Sequence, residues 1–593
     1  MQVVSDAWKA AHEERLLGTN FIEITIEVGD PDSAADASAS SDSETAFANT
    51  DVITKGIETD VPKYATFEHN QWLLDGNAAI LPGGEPEDTG YISGAISSSD
   101  GSFAVPQTIV ISFSRVFDKL IPGVTITWSE EFGEYAVDFT ITAYNGAEVV
   151  ASTAVTGNRG VESAIELDII GYNRIEIAVT KWCLPNRRVR ASQVFCGLRK
   201  SYEKRDIMSY NNSRRIYPLG DGLPNYTIEF EVNNVDGAYD PNNPQGFTKY
   251  LMTRQAVYAR YGMRVGSGTE WIGGGKYYLN EWKSPQNGIT ASFKARDAME
   301  YLSDIYFKGT YNASGVTLYA LAEAVMADTV LPLNKDGTSP WRFDESLKNV
   351  TTTAPLPVAT IAECLQLIAN AASCVLSIGR DGAVEIAPAS GEHTDYGVTT
   401  FNSYSRPELE LSRQLKSVEV GITGYYKGGS IELFNGIVPV DGTQDVVIEY
   451  SEKAVSVSAT VTGGTLVSAE YYTGACKLKI TASGDVTVVV KGTQLKSSAS
   501  TYSLTASGEG ETERLDNPLI TNPTAAKSAA AYIRDYLTNR RTFTMDWRAD
   551  TRLDVGDIIQ IENKYGTEAA MVTEFKLNFG GAFRGSGKAR AVT

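Results

Sequence analysis

A segment rich in Asn, Asp, Gly and Pro, VNNVDGAYDPNNPQG at residues 232–246, has the residue types of a calcium-binding loop. An EF-hand loop needs oxygen ligands at fixed offsets around a glycine. With Gly237 in the glycine position, the first ligand would be Val232 and the closing carboxylate would be Asn243, and neither fits. Asn and Asp side chains readily bond their own backbone two residues on. The segment therefore predicts consecutive tight turns behind the strand YTIEFEV, with a metal site as the alternative.

The other motifs that could support catalysis fail on spacing. His12 is followed by EERL and lacks the second histidine of a zinc helix, while His69 and His393 stand alone. GSGK at 585–588 lacks the first glycine and the final hydroxyl of a phosphate loop, and no GxSxG stretch occurs. Cys364 shares the apolar face of a predicted helix, where a buried, inert thiol is expected. We expect no enzymatic activity, no cofactor and no metal.

A run of basic residues reverses the sign of an otherwise acidic chain. Between Lys181 and Arg215 the sequence has ten basic residues but only Glu203 and Asp206 as acids. Such a run predicts either a solvated face paired within the chain, for instance with the acidic N-terminal segment, or a contact between subunits. The candidate residues for a subunit interface are Arg187, Arg188, Arg190, Arg199, Arg214 and Arg215.

Aromatic residues concentrate in the region from residue 63 to 196. They are Trp72, Tyr91, Trp128, Tyr135, Tyr144 and Trp182. Aromatic rings can stack on sugars, but in a β-sandwich most of them fill the core. Core packing is the first interpretation, and glycan contact is the alternative.

Length and composition limit the class of protein. A chain of 593 residues predicts roughly two to five domains. The 52 basic and 73 acidic residues give a net charge of −21, which argues against specific nucleic-acid binding. The five cysteines form no CxxC pair and predict no disulfide framework. We expect no signal peptide and no membrane span, because no apolar run is long enough.

Hydrophobic periodicity divides the chain into segments and predicts a mainly β fold with an α+β part. The acidic stretch DPDSAADASASSDSETAFANTD has the composition of a mobile linker. The predicted units are an N-terminal helix, first strand and acidic linker at 1–62; a jelly-roll sandwich at 63–196; a β-barrel at 197–310; an α+β domain at 311–435; a small Ig-like insert at 436–508; and a helix with a second barrel at 509–593.

The order of several motifs resembles the tail hub proteins of bacteriophages and prophages. The stretches are GLPNYTIEFEVNNVDGAYDPNNP, YLMTRQAVYARYG, EWIGGGKYYLNEW, ITASFKARDAMEYL, IAECLQLIANAASCVLSIGRDGAVEIAP and RLDVGDIIQIEN. The resemblance covers residues 197–435 and 509–593. It implies two hub barrels, the first containing NFIEITIEV, and the second containing the strands near Arg413–Gly421 with residues 540–593. It also implies that the turn-rich segment is architecture.

The region at 63–196 resembles a discoidin or galactose-binding-like jelly roll. The matching stretches are FEHNQWLLDGN near its start and RRVRASQVFCG at its end. Such domains often bind glycans or a structural calcium through loops at one end. The resemblance implies Asn70, Trp72, Asp75 and Asn77 as candidate loop contacts for a glycan. No clear Trp follows the loop, which departs from the common pattern.

These observations predict a structural tail-tip or baseplate hub that carries the jelly roll outward. The family resemblance implies a homotrimer that contacts the distal tail and tail tube proteins and the tape measure protein. It also implies a location in the virion, after assembly in the host cytoplasm, with a host-surface polysaccharide as a further partner. The alternatives are a glycan-binding adhesin and, without a recognisable pair of catalytic carboxylates, a tail-tip hydrolase.

Overall fold

The computed structural model describes residues 1–13, 20–55, 68, 89–266, 268–284, 288–332, 339–389, 393–507 and 509–592. Strands dominate and helices are few and short, which confirms the predicted mainly β, multidomain fold. Helices and strands are numbered in chain order. The α-helices are α1 (Asp6–Glu13), α2 (Pro31–Asp36), α3 (Leu318–Met326), α4 (Ile361–Ala371) and α5 (Pro523–Thr538); short 3-10 helices are Thr50–Thr54, Phe247–Tyr250, Ala298–Glu300 and Glu345–Asn349.

One large sheet, called the hub sheet below, has 13 strands among the described residues. They are β1 (Asn20–Gly29), β12 (Gly197–Glu203), β13 (Ile207–Arg215), β14 (Thr227–Asn233), β15 (Ala256–Val265), β16 (Gly268–Lys283), β17 (Thr290–Arg296), β25 (His393–Val398), β26 (Glu408–Leu411), β34 (Arg541–Arg548), β35 (Ile558–Asn563), β36 (Gly566–Phe579) and β37 (Phe583–Ala591). Its main path runs β12-β1-β15-β16-β17-β14-β13-β36-β37-β34-β26, and β35 joins β25 to β36.

Alternating apolar residues explain why the hub strands bury one face. In β1, Ile22, Ile24, Ile26 and Val28 are buried and the residues between them are partly exposed. Side chains alternate across a strand, so this period-two pattern turns the apolar set towards one core. NFIEITIEV therefore forms a hub strand, as predicted.

The two predicted barrels are joined through one sheet. Strand β13 of the first half pairs antiparallel with β36 of the second, from Tyr210 with Phe579 to Arg215 with Glu574. The strands predicted for the second half near Arg413–Gly421 are wrong. That half takes β25 and β26 instead, because β26 pairs with β34 and the chain beyond it enters another sheet.

The first inserted domain, called the sandwich below, occupies the chain between β1 and β12. Its strands are β2 (Ser38–Ser40), β3 (Tyr91–Ile92), β4 (Ser102–Phe117), β5 (Ile121–Thr127), β6 (Ala136–Asn145), β7 (Glu148–Val155), β8 (Glu162–Ile169), β9 (Tyr172–Trp182), β10 (Arg190–Ala191) and β11 (Gln193–Phe195). The two main sheets, β2-β4-β9-β6-β7 and β11-β5-β8, share one apolar core.

The acidic stretch predicted as a mobile linker is folded over residues 30–55. Asp30 caps α2 by accepting a hydrogen bond from the backbone of Asp32, and β2 pairs with β4 at the edge of the sandwich. Val52 and Ile53 are buried in the sandwich core. The linker prediction is wrong because a cap, a short strand and a few apolar residues outweigh the acidic composition. The sandwich therefore begins near residue 30, not at 63.

The α+β unit packs its helices on small sheets. Its strands are β18 (Ile305–Tyr306), β19 (Val316–Thr317), β20 (Trp341–Phe343), β21 (Thr351–Thr352), β22 (Ala359–Thr360), β23 (Val375–Ile378) and β24 (Val384–Ala387). Thr360 and Glu363 form a capping box at the start of α4. Strands β23 and β24 form the predicted hairpin, and Gly382 in its Asp-Gly turn has φ +90.

The second inserted domain, called the insert below, is a two-sheet sandwich on a long ribbon. Its strands are β27 (Leu415–Val438), β28 (Asp441–Glu449), β29 (Ala454–Thr462), β30 (Thr465–Tyr471), β31 (Ala475–Ser483), β32 (Val486–Thr505) and β33 (Glu511–Leu515). The sheets β29-β32-β27-β33 and β28-β31-β30 share a separate core. The predicted boundary at 436 falls inside β27, because this one long strand both connects the insert to the rest of the chain and, near its end, belongs to the insert's own sheet.

None of the helices in the described ranges is long and apolar enough to cross a bilayer.

Candidate functional site

The joint between the sandwich and the hub sheet is formed by two paired strands. The antiparallel register of β1 and β12 ends with Gly29 opposite Gly197, so the sandwich leaves and rejoins the hub at adjacent positions. A Cβ on Gly197 would lie 2.4 Å from the carbonyl oxygen of Val28, and one on Gly29 would lie 2.6 Å from that of Cys196. Only glycine allows this close approach of the two backbones.

Side chains from both domains bond to this pair of glycines. Thr125 of the sandwich donates its hydroxyl to the Gly197 carbonyl at 2.9 Å, and Gln255 of the hub donates its amide to the Gly29 carbonyl at 2.9 Å. Each bond satisfies the carbonyl group of one of the two glycines at which the chain passes between the domains. The joint is therefore fixed from both sides.

Charged contacts extend the joint beyond the glycines. Arg199 of β12 donates to Glu27 of β1 at 3.1 Å and to Gln193 of the sandwich at 3.1 Å. Further along the contact, Lys249 of the hub pairs with Asp168 of the sandwich at 3.2 Å. The hydroxyl of Tyr250 also donates to Asp168, and this bond and the nearby Lys249 ammonium lower the pKa of that carboxyl. These contacts orient the sandwich relative to the hub.

A polar cavity of about 690 Å³ lies beside the joint. Its walls carry carboxylates from both domains, including Glu23 and Glu27 of the hub and Glu130 and Glu162 of the sandwich. Arg199 lines the cavity as well and lies 3.7 Å from Glu162. Ion pairing within the chain therefore compensates part of this acidic lining.

Two of the arginines predicted for a subunit interface lie inside the sandwich fold. Arg190 is buried and donates to Glu68 at 2.9 Å, and Glu68 also accepts the backbone N–H of Arg188 at 2.7 Å. The guanidinium of Arg188 donates to the carbonyl oxygen of Ser93 at 2.8 Å. The predicted candidates Asn70, Trp72, Asp75 and Asn77 lie outside the described residues.

Arg187 completes this set of internal contacts. Its guanidinium donates to Glu134 at 3.0 Å, and the same carboxylate accepts the indole N–H of Trp182 at 2.8 Å. Trp182 and Trp128 are both fully buried, with an edge contact at 5.9 Å between ring centroids. Core packing, the first interpretation of these two aromatic residues, is therefore confirmed.

Arg214 links the two halves of the hub sheet to the α+β unit. This buried residue of β13 donates to Asp554 at 2.5 Å, and Asp554 accepts a second bond from Arg380 of the β23–β24 turn at 2.9 Å. Tyr277 gives Arg214 a further partner at 3.2 Å. Burial alone would raise the pKa of Asp554, but the charges of Arg214 and Arg380 lower it to about 2.

The structure therefore corrects part of the predicted subunit interface. Arg190 and Arg214 are enclosed and paired within one chain, so neither can meet a neighbouring subunit. Among the six candidates, Arg215 is the exposed one, with its guanidinium 4.6 Å from the ring centre of Tyr217. Asp554, missed at the sequence level, lies within RLDVGD, one of the stretches that resemble tail hubs.

The turn-rich segment at 232–246 is built as predicted. Its side chains accept the backbone N–H two residues on in Asn233, Asp236, Asp240 and Asn243, at 2.9–3.1 Å. Gly237 has φ +68, which glycine adopts without strain. In the part of the chain that the structure describes, no group of three His, Cys, Asp or Glu side chains is arranged to hold a metal ion.

The remaining candidate residues have structural surroundings. His12 is buried 3.8 Å from Asp550, and burial lowers the pKa of its imidazole. His393 is exposed in β25, and His69 lies outside the described residues. Cys364 is buried on α4, and burial raises the pKa of its thiol to about 12, as expected for an inert core cysteine.

No protein-family model matches the chain, and no curated protein matches it. Solved structures similar to it include a tail protein from Neisseria meningitidis MC58, with 9% identity, a TM-score of 0.38, and coverage of 66% of this chain and 93% of that one. A 43 kDa tail protein of prophage MuSo2 from Shewanella oneidensis has 12% identity and a TM-score of 0.36, with 66% and 95% covered. Prophage tail protein gp18 from Listeria monocytogenes EGD-e has 11% identity and a TM-score of 0.36, with 66% and 91% covered. The names of these three structures are those of one tail protein and two prophage tail proteins.

Proposed function

We propose that the chain is a structural hub protein at the tip of a phage or prophage tail. The observation that carries the proposal is where the stretches resembling tail hubs lie in the fold. YTIEFEV, AVYARYG, KYYLNEW and ITASFKARD fall in β14, β15, β16 and β17 of the hub sheet, and DIIQIEN forms β35 in its second half. Stretches far apart in the sequence thus meet in one sheet, as expected if together they specify one platform.

The way in which the two inserted domains attach to the rest of the chain supports a structural role. The sandwich is carried by the paired strands β1 and β12. The insert is carried by β27 and β32, whose pairing runs from Ser417 with Thr505 to Val438 with Val486. Paired strands resist bending better than single linkers, because the two backbones are bonded along their length. Such stalks suit domains displayed on a tail tip.

In this proposal three copies form a ring at the end of the tail tube. Each copy supplies two hub halves, which adjoin through β13 and β36, so a trimer offers six units to a hexameric tube. The partners are the distal tail and tail tube proteins and the tape measure protein. The ring assembles in the host cytoplasm and becomes part of the virion.

Reconstitution with tail tube protein tests the hub role. Purified chain and tube protein from the same phage or prophage are mixed, sedimented and imaged by electron microscopy. We expect the chain to co-sediment and to form a threefold cap at one end of each tube. Binding along the tube wall, or no binding to tubes, would contradict a hub at the tip.

We also propose that the sandwich contacts a host-surface glycan. Support comes from the resemblance of its sequence to galactose-binding-like domains and from its fixed joint with the hub, which would hold it in one direction. A glycan array probed with the full chain tests this contact, with Asn70→Ala and Trp72→Ala as the variants. Binding without any attachment to tubes would instead favour the adhesin. A lytic band in peptidoglycan zymography would favour the hydrolase.

A further inference from the structure

The hub sheet ends at strand β26, whose outer side has no partner strand among the described residues. Strand β26 is the last strand on the main path of the sheet, and it pairs there with β34. All four of its residues are exposed. An edge strand of this kind can accept a further strand, because its outward backbone N–H and C=O groups are free to pair.

The hydrogen-bond register shows which backbone groups of β26 point outward. Strand β26 pairs antiparallel with β34, and Ser412 continues that register opposite Arg540. The N–H of Ser412 donates to the carbonyl oxygen of Arg540 at 2.8 Å. Bonded and non-bonded positions alternate along an antiparallel pair, so the residues one and three places before Ser412 direct their backbone groups away from β34. These residues are Leu411 and Leu409, which together offer two N–H and two C=O groups at the open edge.

The side chains of the same two leucines make one side of this edge apolar. Leu409 lies opposite Phe543, a buried residue of the hub core, and directly opposite residues share a face of the sheet. Leu411 lies on that face by alternation. The two leucines are 46% and 62% exposed, because β26 is the last strand over this part of the core. A further strand with apolar residues on the same face would remove both from water.

The other side of the edge is acidic. Glu408 and Glu410 alternate with the leucines and therefore project from the opposite face. Neither takes part in an ion pair within the described ranges, and the nearby Arg413 pairs with Glu511 instead. A strand added to β26 therefore meets unpaired negative charge on this face.

The cation nearest to these glutamates across the sheet lies too far inward to compensate them. Glu408 lies opposite Thr544, and Thr544 lies opposite Lys588, so Lys588 is two strands away. Neighbouring strands are about 4.8 Å apart, which puts a residue of an added strand about 5 Å from the glutamates and about 15 Å from Lys588. At about 0.15 M salt, charges are screened over about 8 Å. The edge itself therefore favours basic residues in its partner.

The described strands of this chain do not supply such a partner. Of those that end a sheet, β10, β12 and β20 carry more basic than acidic residues. Arg190 of β10 is buried against Glu68, and β12 packs against β5 of the sandwich. Arg342 of β20 already pairs with Asp381 and Glu385. A segment of another protein therefore fits the β26 edge better than a second copy of this chain.

We propose that the β26 edge binds an extended segment of a second protein by strand addition, and that this segment alternates apolar with basic residues. Its backbone pairs with the outward groups of Leu409 and Leu411, and its apolar side chains cover the two leucines. Its basic side chains face Glu408 and Glu410. This interaction surface goes beyond the hub role and does not depend on it.

Strand addition is tested with the full-length chain and a short fluorescein-labelled peptide in which Val and Lys alternate. A second peptide alternates Val and Glu, and fluorescence anisotropy at about 0.15 M salt gives the two dissociation constants. We expect the Val/Lys peptide to bind about tenfold or more tightly, because the Val/Glu peptide brings like charges to Glu408 and Glu410. The Val/Lys peptide should also slow hydrogen exchange of the backbone amides of Leu409 and Leu411.

Two variants separate the backbone contact from the charge contact. Leu411→Pro removes an outward N–H but leaves the bonds to β34, because that N–H points away from β34. Glu408→Lys with Glu410→Lys reverses the charge of the edge. We expect each variant to raise the dissociation constant of the Val/Lys peptide about tenfold or more.

Asp441→Lys with Glu449→Lys is the matched control, because both acids are exposed on β28 of the insert. This control should change the dissociation constant by less than about twofold, since it alters the net charge equally but not the edge. Unchanged hydrogen exchange in β34 verifies that Leu411→Pro is folded. If that exchange rises, the variant with both glutamates reversed decides alone.

Several results would overturn the proposal. They are no binding of the Val/Lys peptide, equal binding of both peptides, and binding that the edge variants retain. Self-association of the chain that Leu411→Pro abolishes would make a second copy the occupant and overturn the partner assigned here. The hub role has a separate readout: a chain that binds the peptide but ignores tail tubes refutes that role alone, and a chain that caps tubes without binding the peptide refutes strand addition alone.

Discussion

Asp554→Asn is the sharpest test of how the hub is held together. The carboxylate of Asp554 lies between Arg214 of the first hub half and Arg380 of the α+β unit. Asn has nearly the same shape but no charge, so the substitution removes the ion pairs with little change in packing. Arg214 then stays buried without an opposite charge, although Tyr277 still accepts a hydrogen bond from it.

The expected loss of stability follows from the pKa and the exposure of this carboxyl. Its pKa falls from 3.8 to about 2, which at about 1.4 kcal/mol per pH unit favours the ionised form by about 2.5 kcal/mol. Breaking a buried pair by removing one partner costs about 3–5 kcal/mol. The Asp554 side chain is 24% exposed, so water screens part of the interaction. We therefore expect a loss of about 3 kcal/mol.

Hydrogen exchange of peptides from β13 and β36 measures this loss locally. A local readout is needed because a multidomain chain has no single unfolding free energy. About 3 kcal/mol corresponds to about hundredfold faster exchange where opening separates these strands. Asp546→Asn is the control, because its partner Arg584 is 59% exposed and such a pair is worth at most about 1 kcal/mol. Equal exchange in the two variants would refute the reasoning.

The ion pairs of Asp554 with Arg214 and Arg380 also predict how local stability changes at acid pH. The pKa of Asp554 is lower in the folded chain than its ordinary value, so the folded state favours the ionised carboxyl. Its contribution is complete above about pH 4 and disappears as the pH falls towards 2. The protection of β13 and β36, measured relative to the intrinsic exchange rate at each pH, should therefore fall in this range for the wild type, and less so for Asp554→Asn.

Three further outcomes are expected. Burial raises the pKa of Asp297 to about 7, so ionisation of this carboxyl favours the unfolded state between pH 4 and pH 7. The urea concentration that unfolds the first hub half should therefore fall over this range, and Asp297→Asn should abolish the fall. A fragment of residues 30–196 should melt cooperatively by circular dichroism, whereas 63–196 should lose about 3–5 kcal/mol because it lacks β2 and two buried apolar residues. Gly197→Val should speed exchange in β1 and β12, because its Cβ would lie 2.4 Å from the Val28 carbonyl oxygen.

Local signals in the sequence predicted local structure well. Strands β14 to β17 and helices α3 and α4 follow from spacings of two and of three to four residues, which a short window contains. The turns at 232–246 were predictable for the same reason, since each bond from Asn or Asp spans two residues. The buried position of Cys364 also follows from helical spacing. In each case the deciding interaction lies within one element.

The partner of a strand was less predictable, because two neighbouring segments can show the same alternation of apolar and polar residues. ELEL at 408–411 and SVEVGI at 417–422 both alternate apolar and polar residues, and the second was expected in the hub sheet. The structure places the first beside β34 and the second beside β32. Alternation indicates which face of a strand is buried. It does not indicate which sheet receives the strand, since that depends on partners far along the chain, such as Thr544 for Glu408 and Thr505 for Ser417.

The basic run shows how far charge along a sequence can differ from charge on a surface. Arg190 meets Glu68 across 122 positions and Arg214 meets Asp554 across 340, and both arginines are enclosed by the fold. Strand alternation turns every second side chain inward, so a basic run that forms strands divides between core and surface. What remains exposed belongs to short stretches such as β12. For this chain, therefore, a basic run in the sequence does not by itself indicate a basic surface.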